Sequence, residues 1–108
     1  MARRKHRVVI AKEARDDLRE ELKYLRQRRS IEVARHVNRG IQETIRSLDT
    51  FPERHSMLEK ISDGERTFRF VPKWSYLIVY RVTKMEVRIV AIFNAHQDDE
   101  KIDGLKGR

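Results

Sequence analysis

A chain of 108 residues without cysteine excludes disulfide scaffolds, thiol catalysis and cysteine-based zinc sites. With no Pro/Gly/Ser-rich linker it reads as one domain, 1–108, able to bury a modest core unaided. Its 25 Lys and Arg against 17 Asp and Glu give a net charge of +8, which points to a polyanionic partner, nucleic acid or acidic protein, or to a solvated basic surface with none.

In chain order, "MARRKHRVVI" is basic, but its apolar run is too short for a secretory segment. No other run approaches the about 20 apolar residues of a membrane span, so a cytoplasmic location is expected, with no membrane partner. "HRVVI" (His6 to Ile10) predicts a short strand. In "AKEARDDLREELKYLRQRR", Ala14, Leu18, Leu22 and Leu25 recur at helical spacing, while Arg15, Arg19 and Lys23 interleave with Asp16, Glu20 and Glu21 as a solvated face. Ser30 is a good N-cap for a second helix, about Ile31 to Thr50, with Ala34, Val37, Ile41, Ile45 and Leu48 on one side. Gly40 within it costs roughly 1 kcal/mol relative to Ala, which implies close packing there. Pro52 ends this helix, and the short connection makes the two helices an antiparallel hairpin.

A polar connector with a turn at Gly64 leads to "RTFRFV" (Arg66 to Val71). There Phe68 and Phe70 share one face, so Arg69 is expected to point away from the helices. Pro72 is expected to interrupt this strand before "WSYLIVYRV" begins another, and "VRIVAIFNA" (Val87 to Ala95) is a third. Short connections make these three an antiparallel meander. The resulting fold class is α+β: an N-terminal strand, then an antiparallel helical hairpin packed on a small antiparallel sheet with a three-strand C-terminal meander. Residues 97–108 read as a tail, partly disordered, in which "DDEKI" can form a helical turn.

No Gly-rich phosphate loop and no metal-ligand cluster is legible, and no metal or other cofactor is expected. The four histidines, His6, His36, His55 and His96, lie in four different elements. His96 stands out because it follows the last strand, where rigid scaffolds place functional groups. Its alternative is a turn residue packed on the tail. Residues 65–96 carry Arg66, Arg69, Lys73, Arg81, Lys84 and Arg88 against only Glu65 and Glu86, so the charge excess sits partly on or beside the sheet. Arginines on an open sheet face can grip phosphate or carboxylate through bidentate contacts. For any single one, a salt bridge to Glu86 or the acidic tail is the blander reading.

Four segments, "AKEARDDLREELKYL", "ARHVNRGIQETIRSLDTFPER", "YLIVYRV" and "VRIVAIFNAHQD", together cover nearly the whole chain. In combination they resemble the RelE/ParE superfamily, the toxins of bacterial type II toxin–antitoxin systems. The resemblance implies a small sheet wrapped by a helical hairpin, and a cognate antitoxin that neutralises the toxin. The net charge suits an acidic antitoxin segment that folds on binding, and it suits RNA equally.

The superfamily divides by target. RelE-type members cut mRNA in the ribosomal A site, and ParE-type members poison DNA gyrase. Ribosome-dependent nucleases of the family place an arginine immediately after the first tyrosine of the "Y-x-L/I-V-Y" strand, against the scissile phosphate. Here that position is Leu77. Loss of such a charge removes transition-state stabilisation, and Arg81 lies about 13 Å further along, at ~3.3 Å per residue. The resemblance therefore implies a ParE-like gyrase poison without favoured catalytic residues. Its target- or antitoxin-binding candidates are Arg66, Arg69, Lys73, Arg81, Arg88 and His96. The alternative is a RelE-like ribosome-dependent mRNA endonuclease, with ribosome and mRNA as partners, using Arg69, Lys73 and His96. A degenerate toxin that retains only its antitoxin is a third reading.

Overall fold

The computed structural model describes residues 5–95 and 99–108. The elements follow the sequence order closely. Strand β1 (Arg7–Ile10) leads into helix α1 (Lys12–Arg28) and helix α2 (Ile31–Arg46). Strands β2 (Arg69–Lys73), β3 (Tyr76–Val82) and β4 (Glu86–Asn94) follow, and a short helix α3 (Asp99–Gly104) continues into a 3-10 turn at Leu105–Gly107. The sheet order is β1-β4-β3-β2. The meander pairs antiparallel, and β1 adds to β4 in parallel, so the sheet is mixed.

Ser30 caps α2 as expected, its Oγ accepting from the Val33 N–H at 3.0 Å. The regular helix stops at Arg46 rather than Thr50 and tightens into a 3-10 turn, Ser47–Asp49. Arg54 holds that end, its guanidinium donating to the carbonyls of Thr50, Phe51 and Ser47. Ser47, the C-cap of α2, supplies one of the carbonyls that a helix terminus leaves without an intrahelical donor. Phe51, the residue before Pro52, is left-handed at φ 47°, a conformation rare for a bulky side chain.

Pro72 does not interrupt β2 but lies within it, opposite Leu77. The reason is its place on the outermost strand. The Phe70 N–H points outward to Ser56 O at 3.0 Å, so the Pro72 nitrogen, two residues on, also faces away from β3. A missing donor there breaks no ladder bond. The 56–58 segment covers this edge, with Met57 bridging Arg69 and the Leu58 N–H donating to Phe68 O.

Both faces of the sheet are buried. Ala14, Leu18, Val37, Ile41, Ile45 and Leu48 of the helical side pack on Val71, Ile78, Tyr80, Val87, Ile89 and Ile92. On the other side Ile61, Phe68, Val79, Val90, Phe93 and Leu105 form a second cluster, with Ile102 and Leu58 against it. The described part of the expected tail is thus packed structure, and Leu105 is only 4% exposed. Burial of both faces accounts for the near-continuous apolar run of β4. The register shifts between Val79 and Tyr80, whose partners are Ala91 and Ile89, which leaves Val90 as the extra residue of a β-bulge. Val90 and Ala91 consequently serve the same cluster.

Gly40 is the close approach that its position in the helix implied. A Cβ there would stand 2.2 Å from Trp74 Cη2 and 2.6 Å from Cζ3, with Lys73 Cε at 3.0 Å. Trp74 is the only tryptophan, half exposed and itself left-handed at φ 53°. Its ring lies 4.9 Å from that of His36 and carries Lys73 Nζ at 4.7 Å. Gly40→Ala is expected to expel the indole from the α2 surface, seen as a red-shifted, more quenchable tryptophan emission. The overpacking cost of about 1–3 kcal/mol is partly offset by the roughly 1 kcal/mol that alanine gains in a helix. An unchanged emission spectrum would disprove the contact.

Candidate functional site

The sheet sorts the sequence-selected residues onto two faces. Arg69 and Lys73 share the helical face with Val71, since Phe68 and Phe70 turn toward the second cluster. This corrects the expectation that Arg69 points away from the helices. Alternation set Arg69 opposite the two phenylalanines correctly, but the phenylalanine face is the one roofed by Ile61 and Leu105.

Arg69 is a structural donor, its Nη1 giving a 2.9 Å hydrogen bond to His55 O. It pairs across the strands with Tyr80, whose hydroxyl donates to Pro52 O at 2.5 Å. Burial pushes the Tyr80 phenol up to about 12 against the opposing pull of Arg69 and Arg54. Burial and then the Arg54 charge push His55 below its ordinary value, and the His55 ring meets Tyr80 edge-on at 6.4 Å. Lys73 leans on Trp74, four residues or about 13 Å along the strand from Arg69 at ~3.3 Å per residue. The two do not converge. His96, the third residue of the nuclease alternative, lies outside the described residues. Leu77 packs beside the second cluster, on the opposite face from Arg69.

Arg66, Arg81 and Arg88 gather on that second side. Arg66 Cζ stands 5.5 Å and Arg81 Cζ 5.7 Å from the centroid of the Phe68 ring. Arg81 is paired directly with Arg88 across β3 and β4. Arg66 also donates to Lys106 O at 2.6 Å, which ties it to the C-terminal segment. Arg88 has a carboxylate at the limit of ion-pair distance, Glu86 at 3.9 Å. The Nε of Arg81 is buried without a hydrogen-bond partner.

Asp17 carries no distinguishing signal in the sequence. Its carboxylate accepts from the Ile92 N–H at 3.1 Å and from Arg108 at 2.7 and 3.3 Å, and Arg108 also donates to Val90 O at 3.0 Å. Asp17 also borders a cleft of about 580 Å³ with Asp16, Glu20, Glu21 and Lys101, an acidic hollow on a basic chain. Within it burial raises Glu21 above the ordinary carboxylate range. Among the described residues, no group of three or more His, Asp or Glu side chains is set to hold a metal ion. No described helix is long and apolar enough to cross a membrane.

Comparison with known proteins gives two positive findings. The structure is similar to a chain of the chromosomal ParDE toxin–antitoxin system from P. aeruginosa, with a TM-score of 0.70 over 84% of this chain and 97% of that one. At 17% identity this likeness speaks to the fold alone. No curated protein sequence matches significantly. Residues 8–99 match the model of the ParE toxin of the type II toxin–antitoxin system, parDE. That match takes in β1 from Val8, both long helices and β2–β4, and the chain belongs to the ParE toxin family.

Proposed function

We propose that the chain acts in the cytoplasm as a toxin that arrests growth by poisoning DNA gyrase, and that a cognate acidic antitoxin neutralises it. The observation that carries this reading is the family match over residues 8–99. Two features support the ParE-like activity over mRNA cleavage. Leu77, where a ribosome-dependent nuclease of the wider superfamily would present arginine, is apolar and packed beside the second cluster. Arg69 and Lys73 are occupied, one with His55 O and the other with the Trp74 ring, and in-line cleavage needs its acid, base and charge-stabilising groups on one phosphate. The charge of +8 supports an acidic antitoxin segment. Arg66, Arg69, Lys73, Arg81, Arg88 and His96 are the proposed contacts to target or antitoxin.

The test uses the purified chain, freed of antitoxin, with gyrase, supercoiled plasmid and ATP. Linear, protein-linked DNA should accumulate, and a stoichiometric addition of the antitoxin should abolish it. Plasmid left intact by active gyrase, together with cleaved mRNA on translating ribosomes, would replace this reading with the nuclease one.

A further inference from the structure

We infer that Arg66, Arg81 and Arg88 form a recognition site for a phosphate group on the sheet face remote from the long helices. Like charges directly opposite each other in an antiparallel pair are destabilising, yet Arg81 and Arg88 occupy such a pair. A purely structural solution would set a carboxylate between them. Instead, among the described residues, the ion-pair contact is Glu86 with Arg88, at 3.9 Å and from the same strand. Arg66 and Arg81 form no ion pair with any described carboxylate, although Asp63 lies close enough for Arg66 and Lys106 to help hold its carboxyl below the ordinary range, after the backbone hydrogen bonds from Arg66 and Glu65.

The chemistry of the three side chains selects the ligand. Arg66 and Arg81 both rest on Phe68, which is fully buried. Stacking on an aromatic ring fixes a guanidinium plane and leaves its edge donors for hydrogen bonding. Arg81 keeps its Nε–H buried and without a hydrogen-bond partner, so its terminal Nη groups are the donors left to meet an arriving acceptor. A carboxylate offers two oxygens and one charge. Three guanidinia match a group with more oxygens and up to two charges, and the planar fork suits phosphate oxygens geometrically. The Arg66 bond to Lys106 O sets the C-terminal segment at the rim of the site. The inference is independent of whether gyrase is the target, because it concerns only what these three residues bind.

Titration of the full chain with inorganic phosphate at constant ionic strength, followed by ¹H–¹⁵N spectra of the arginine side chains, tests it. The Arg81 Nε–Hε resonance should shift saturably. Arg88→Gln, at an exposed position that leaves the core intact, and Arg81→Lys should each weaken binding about tenfold. Arg26→Gln, an exposed position on α1, should change it less than about twofold. A nucleoside monophosphate binding as tightly as a short single-stranded oligonucleotide would make the ligand a terminal phosphate. Tighter oligonucleotide binding, weakened by the same two variants, would make it a backbone diester. An unmoved Arg81 resonance, equal weakening in Arg26→Gln, or tighter binding of a glutamate-rich peptide at these residues would each overturn the proposal.

Discussion

Tyr80→Ala is expected to remove about 3–5 kcal/mol of stability. Tyr80 is fully buried at the centre of the helix-side core, so truncation leaves a cavity that rigid neighbours on β4 and α2 cannot close. It also releases Pro52 O, to which the hydroxyl donates. That bond spans 28 residues and pins the loop after α2 to the sheet. Tyr80→Phe isolates this contribution, at about 1–3 kcal/mol for a buried carbonyl left without its donor. The two variants should differ from the parent in urea midpoint with little change in slope.

The phenol adds a pH signature. Its folded-state value is raised to about 12 by burial, above the ordinary 10 of an unfolded chain. The folded state keeps its proton while the unfolded state releases it, so this contribution is complete below about pH 10 and is lost toward pH 12. Tyr80→Phe lacks the group, and the stability gap between parent and variant should narrow as pH rises through that window. Tyr76, also raised by burial, titrates in both proteins and cancels. A gap that stays constant would mean that Tyr80 ionises as freely folded as unfolded.

Much of this architecture was legible because local chemistry and global packing agree. Ser30 capped the helix it was expected to cap, Gly40 marked the place where another element touches α2, and the apolar spacing of both long helices found the core. The misreading of Arg69 has a definite origin. Period-2 alternation separates two faces of a strand but does not say which receives the helices. The second face is roofed by residues that carry no periodic signal, Ile61 in a polar connector and Leu105 in "GLKGR". Pro72 reads as a break in the sequence because edge strands are not distinguishable until the sheet order is known.

The candidate residues were less legible than the fold. Composition located the basic excess near the sheet, but only the pairing register sets Arg81 against Arg88, and only the tertiary fold brings Arg66 to the same phenylalanine. The left-handed conformations of Phe51 and Trp74 had no sequence cue, since neither is a glycine or asparagine. Strain of about 1–3 kcal/mol at such residues is held in place by tertiary contacts, such as Trp74 against Gly40 and His36.

Asp17→Ala should cost about 1.5–3 kcal/mol, although in the sequence Asp17 is one acid among many on a solvated helix. The cause is the short partner strand: β1 pairs β4 only as far as Ile10 opposite Ile89, and beyond it the Ile92 N–H and the Val90 carbonyl are answered by Asp17 and Arg108 respectively. The two side chains then pair with each other at 2.7 Å while only about a quarter exposed, which shields the pair from screening better than a surface bridge. One ion pair thereby closes an irregular strand and fastens the C-terminal segment over Phe68 and Phe93. Asp17→Asn keeps an acceptor for Ile92 and should lose roughly half as much. Amide exchange should accelerate at Ile92 and through residues 99–108 in Asp17→Ala, while α2 keeps its protection. In a double-mutant cycle with Arg108→Ala, the two losses should fall short of additivity by about 1 kcal/mol or more. Additive losses, or unchanged exchange at Leu105, would mean that the tail is held by its apolar contacts alone and that the pair only decorates the surface.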